Sequence, residues 1–136
     1  MTAKDDNLRI GLVNNAILRI GSIQVAKVQQ AVLKFYAPKR AQEFHAGIFA
    51  RRGVNDAAAA LQIVHAMKLD VAAVTAAADG ADVTAVLKRQ AELASSLGFS
   101  ATPCFMINGV DVLGYPGPRT MARMVASLRK CDKPMC

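Results

Sequence analysis

Apolar positions recur along this chain with two different periods, and the changes of period divide it into elements. From Asn7 to Val13, Leu8, Ile10 and Leu12 alternate with other residues and Val13 extends the apolar run, which predicts a short strand. NNAILRIGS follows as a loop, with Gly21-Ser22 marking its end and Ser22 as the N-cap of a helix. From Ile23 to Tyr36 the period lengthens: Val25, Val28, Val32 and Phe35 recur at three- and four-residue steps and form one helix face. Pro38 stops that helix and opens a second in its first turn, where Phe44, Ile48 and Phe49 share a face and Gly53 closes it. Asn55 or Asp56 caps a third helix carrying Leu61, Val64 and Met67, and Asp70 caps an alanine-rich fourth that ends at Gly80. Asp82 starts a long fifth helix with Val83, Val86, Leu87, Gln90, Leu93, Ala94 and Leu97 near one face, ending at Gly98.

After Gly98 the period shortens again. PCFMI and VDVLG, joined through Asn108-Gly109, predict a β-hairpin, because Asn-Gly suits the tight type I′ turn. A Thr-Pro step stands directly before this first hairpin strand, and proline cannot donate to a ladder, so Pro103 belongs at a strand's first residue, a bulge or an edge. YPGP breaks the chain, and a last helix carries Met121, Met124, Val125 and Leu128. The order read from the pattern is β-α-α-α-α-α-β-β-α, with no internal repeat and no flexible linker. It predicts a single domain over residues 1–136.

Composition narrows the classes. Of the 136 residues 53% are hydrophobic, and much of that fraction is alanine, which favours helices; disorder is excluded and one compact domain is expected. The net charge is +7, but the basic residues fall in scattered pairs such as Lys39-Arg40, Arg51-Arg52, Lys88-Arg89 and Arg129-Lys130. No aromatic residues are interleaved with them, which favours solvated helix faces over a nucleic-acid footprint. No apolar run reaches the length of a membrane span, and MTAKDDNLRI has neither an apolar h-region nor a cleavage site. At face value the chain reads as soluble and cytoplasmic; a mature or truncated product would read the same way.

The three cysteines, Cys104, Cys131 and Cys136, are an odd number, and no two are separated by two residues. CDKPMC at the tail suits free thiols or a small disulfide loop better than a metal site, which normally takes four ligands. Cys104 follows Pro103, and strand alternation sends its side chain to the face opposite Phe105. A buried structural thiol is the favoured reading there over a redox role, because no resolving thiol or positive residue can be assigned beside it. His45 and His65 lie on helices without a positioned partner and read as structural or surface residues.

LGFSATPCFMINGVDVLGYPGP resembles the C-terminal part of DsbA-like thioredoxin-fold proteins, in which a long helix ends at Leu-Gly and a Gly/Ala-Thr-Pro triplet enters a strand. LRIGLVNNAILRIGS is similar to the family's second strand and following loop, and AQEFHAGIFARRGVND to part of its helical insertion. The resemblance runs from about Asn7 to Arg129 and is most specific from Leu97 to Gly114. It implies an α/β fold, an incomplete thioredoxin-like fold with a DsbA-type helical insertion at 22–97 and a cis-proline hairpin with closing helix at 99–130. It implies that Thr102–Pro103 is cis, and that the Thr102 backbone pairs with an extended peptide or protein substrate. Asn14, Asn15 and Tyr115 would border the cleft as turn and packing residues.

Family members begin with a central strand and a Cys-x-x-Cys motif at a helix N-terminus, which activates the first cysteine. Here only MTAKDD precedes Asn7, so the sequence looks like a family member without its N-terminal quarter. The expected function is that of a thiol–disulfide oxidoreductase-like protein without independent redox activity, with Cys104 as the one candidate catalytic sulfur and no cofactor. Thr102 and Pro103 are the expected substrate-binding residues. The alternative is a peptide-binding or homodimeric assembly module, because an unpaired apolar strand edge recruits another strand. Neither nucleic acid nor membrane is expected as a partner. Much of the resembled family is periplasmic.

Overall fold

The computed structural model describes Asp5, residues 7–16 and residues 19–136. Its elements are α1 (Ile20–Phe35), α2 (Pro38–Ala50), α3 (Ala57–Ala66), α4 (Val71–Ala78), α5 (Ala81–Ser96), β1 (Cys104–Ile107), β2 (Val110–Leu113) and α6 (Pro118–Cys131). They fall into two compact units, Asn14–Leu93 and the described residues of Met1–Val13 together with Ala94–Cys136.

In the helical unit, α1 packs on α2, α3 and α4. Val32, Phe44, Val64 and Val74, one from each of these helices, are its largest fully buried side chains. Alanines let the backbones approach: Ala31 and Ala60 are fully buried beside them. Two of the caps are the expected aspartates. Asp56 accepts a hydrogen bond from Ala59 N at 2.9 Å, and Asp70 accepts one from Ala73 N at 2.9 Å. Each satisfies one of the amides that a helix start leaves without an intrahelical acceptor.

Several expectations are corrected. Asn7–Val13 is not a strand: no ladder bond joins it to any described residue, and the sheet among those residues has β1 and β2 alone. Alternation marks a face, but a strand also needs a partner, and here Ile10, Leu12 and Val13 are all about half-exposed, at 59%, 48% and 50%. The first helix begins at Ile20, not Ile23, so Ser22 lies inside it, its amide donating to Arg19 O at 2.9 Å. Gly21 is therefore no helix boundary. A Cβ there would stand 2.6 Å from Asn55 O, so the missing side chain is what lets that carbonyl approach α1. Phe49 is 76% exposed, whereas Phe44 and Ile48 are buried. At about 100° per residue, a step of five turns Phe49 well away from the Phe44 stripe. Phe35, in the last turn of α1, is half-exposed as well.

In the other unit the hairpin pairs Cys104 with Leu113, Phe105 with Val112, Met106 with Asp111 and Ile107 with Val110. Asn108 and Gly109 both hold positive φ, 48° and 80°, as a type I′ turn requires. Met121, Val125 and Leu128 form the buried stripe of α6, at the four- and three-residue steps of a helix face.

Candidate functional site

The strand alternation of β1 and β2 sorts the side chains. Phe105, Ile107, Val110 and Val112 share one face, where Val112 is buried and the other three are partly covered. Cys104, Met106, Asp111 and Leu113 share the other, where Met106, Asp111 and Leu113 are exposed. Cys104 is half-buried, not the buried thiol expected, and its S–H donates to Ala101 O at 3.0 Å. It is the free cysteine of the chain.

The peptide bond Thr102–Pro103 is cis. Pro103 O accepts from Gly114 N at 2.9 Å, so the ladder continues one pair beyond Cys104. In an antiparallel pair the bonded positions alternate. Pro103, Phe105 and Ile107 therefore turn their backbone groups toward β2, and the N–H and C=O of Cys104 and Met106 point the other way. No other strand lies on that outer edge among the described residues. Ala101, Thr102 and Pro103 are exposed, and the Thr102 backbone makes no hydrogen bond with a described residue. Tyr115 is 57% exposed, its ring 6.2 Å from that of Phe105. In the helical unit, Asn14 N and Nδ2 both donate to Gln90 Oε1 at 3.2 Å, a packing role for that asparagine.

Cys131 and Cys136 form a disulfide, their Cα atoms 6.5 Å apart. Of the two tail readings, free thiols or a small loop, the loop is the one present. Ser127 Oγ lies 3.0 Å from Cys136 Sγ and 3.8 Å from Cys131 Sγ. A disulfide sulfur carries no proton, so the hydroxyl is the donor. Ser127 was not singled out from sequence, although its place four residues before Cys131 on a helix was a usable signal. Asp132, the left-handed C-cap of α6, accepts from Asn108 Nδ2 at 2.7 Å.

Both histidines belong to the helical unit. His45 Nδ1 is 3.4 Å from Gln29 Oε1 and its ring meets that of Phe49 at a tilt of 46°, centroids 4.7 Å apart; burial holds its pKa below the ordinary histidine value. His65 is exposed in the last turn of α3. Arg129 makes a two-armed pair with Asp5, at 2.8 and 3.1 Å, and this hydrogen bond holds the Asp5 carboxyl below the usual carboxylate range. Among the described residues no three His, Cys, Asp or Glu side chains gather as metal ligands, and no helix is long and apolar enough to cross a membrane.

Neither the curated proteins nor the solved structures give a match to this chain. The family model of the DSBA-like thioredoxin domain does, over residues 3–126, which takes in all five helices before the hairpin, the hairpin itself and most of α6. A mostly helical α/β chain whose two-stranded sheet is entered through Thr102–Pro103 is what that family's helical insertion and closing hairpin predict, and on this match the chain belongs to the DSBA-like thioredoxin-domain family.

Proposed function

We propose that this chain acts as a thiol–disulfide oxidoreductase-like platform that docks an extended peptide along the outer edge of β1, without turning over dithiols through Cys104. The observation that carries the reading is the row of outward backbone groups on Cys104 and Met106, continued by the exposed Thr102. An edge of this kind pairs with an extended chain through main-chain bonds, and alternate side chains beside it set preference. Met106 and Leu113 on the exposed face suit apolar side chains. Turnover needs a thiolate and a second thiol that resolves the mixed disulfide, and no Cys-x-x-Cys occurs in these 136 residues.

The test is a fluorescence-anisotropy titration with a labelled, cysteine-free apolar peptide. Met106→Pro removes an outward N–H and leaves the bonds to β2 in place. It is expected to weaken binding at least about tenfold, while Met106→Ala stays close to the parent. Absence of saturable binding, or undiminished binding by a Met106→Pro variant whose hairpin amides remain protected, overturns the reading.

One observation favours a second occupant of the same edge, another copy of the chain. Leu8–Val13 has no ladder partner among the described residues and exposes Ile10, Leu12 and Val13. Pairing it across a two-fold axis satisfies its backbone and covers those side chains. Light scattering decides: a dimer across micromolar concentrations supports this reading, and a monomer throughout removes it.

A further inference from the structure

We propose that the Cys131–Cys136 pair is a thiol–disulfide exchange site for small carboxylate-bearing thiols, with Cys136 as the leaving sulfur and Ser127 as its positioning residue. It goes beyond the peptide-docking reading and does not depend on it.

Access comes first. Cys136 is exposed and Cys131 partly exposed, so a thiolate can approach the bond without opening the core. The apolar stripe of α6, Met121, Val125 and Leu128, lies on the N-terminal side of the pair and is buried. A loop of five residues' separation also restrains little of the unfolded chain compared with a long one. The bond can therefore open while the helix persists.

Direction follows from the surroundings of the two sulfurs. Both sulfurs face the Ser127 carbonyl near the end of α6, Cys131 Sγ at 3.3 Å and Cys136 Sγ at 3.4 Å, so the negative field there opposes a thiolate on either and does not separate them. Cys136 lies beyond the helix, with the Ser127 hydroxyl 3.0 Å from its sulfur. That hydroxyl stabilises negative charge on Cys136 more than on Cys131, from which it is 3.8 Å away. Lys130 precedes the pair and Lys133 lies inside its loop, both exposed cations, and the one acid between the cysteines, Asp132, is engaged by Asn108. A thiol that carries carboxylates is attracted to such a segment.

The exchange balances in two steps. An incoming thiolate attacks Cys131 Sγ; the new S–S bond forms there, and the electron pair of the broken bond leaves on Cys136 Sγ. A second thiolate attacks the small-molecule sulfur of this mixed disulfide, and Cys131 leaves as thiolate. Two small thiols are oxidised to one disulfide, the pair is reduced to two thiols, and the two protons lost by the small thiols end on Cys131 and Cys136.

The experiment equilibrates the full chain in glutathione buffers of stepped reduced-to-oxidised ratio, quenches with acid, alkylates, and reads peptide 131–136 by mass. The expected result is a passage from no label to two labels within the range of ratios that glutathione spans, with the helical circular dichroism unchanged. Early quenching is expected to trap the glutathione adduct on Cys131. Ser127→Ala is expected to slow reduction about three- to tenfold and Ser127→Thr to restore it. In the Cys131→Ser background, the alkylation pH profile of Cys136 moves upward with Ser127→Ala, a change that a purely structural serine would not produce. A tail that stays oxidised at every ratio, one that stays reduced at every ratio, or a Ser127→Ala chain that exchanges at the parent rate with an unmoved pH profile overturns the proposal.

Discussion

Asn108 Nδ2 donates to Asp132 Oδ1 across 2.7 Å, joining the hairpin turn to the C-cap of α6 through two residues that both hold positive φ, 48° and 55°. Asparagine and aspartate tolerate this left-handed region better than other side chains, because their short polar groups bond locally. Asn108→Ala removes both the bond and that tolerance, and is expected to cost about 1–2 kcal/mol in urea unfolding. Asn108→Gly keeps the turn and loses only an exposed bond, so it should cost less. Equal costs would mean that the bond, not the backbone, dominates.

The core of the helical unit sets a larger effect. Phe44 is fully buried among side chains of α1, α3 and α4. Phe44→Ala is expected to cost about 3–5 kcal/mol through lost transfer energy and the cavity left behind. Phe49→Ala, one turn away on the exposed side, is expected to fall within about 0.5 kcal/mol of the parent. Denaturant midpoints of the two variants separate the buried from the exposed face of α2.

Gly21 offers a test of the close approach at the start of α1. Gly21→Ala raises helix propensity, yet its Cβ would stand 2.6 Å from Asn55 O. A net loss of thermal stability is the expected outcome, since backbone must move to admit the methyl group.

The pH dependence near neutrality should come from His45. Burial lowers its folded pKa, so its neutral form is favoured in the native state. The unfolded chain then binds the proton first as pH falls below about 6.5. The associated stability is present above that value, declines as pH falls toward the folded pKa, and changes no further below it. His45→Gln is expected to flatten stability against pH in that window. Asp5, held down by Arg129, and Asp82, held down by Lys34, stay ionised to lower pH, so their stabilisation is lost only below the usual carboxylate range.

Catalysis through Cys104 is expected to be negligible. In an insulin-reduction assay, Cys104→Ser should leave the rate shown by the chain unchanged. Robust turnover abolished by Cys104→Ser would make this half-buried thiol a nucleophile after all.

Most of what the sequence by itself determined is local. Asp56 and Asp70 cap their helices because a short acceptor three residues before an amide needs nothing from the rest of the chain. Asn108-Gly109 sets the hairpin and its register because two left-handed residues in succession leave few alternatives. The tail motif allowed either free thiols or a small loop, whereas the Thr-Pro entry with its flanking residues made the family legible from the sequence alone. What only the tertiary structure decided is long-range. Whether Leu8–Val13 becomes a strand depends on a partner, and alternation within seven residues carries no information about one. Gly21 reads as a boundary until Asn55 O, thirty-four positions on, is seen to need its missing side chain. Asn108 and Asp132 are 24 residues apart, and nothing in either neighbourhood announces their bond. The half-exposure of Cys104 was equally hidden, because the burial of a strand residue depends on what packs over its face.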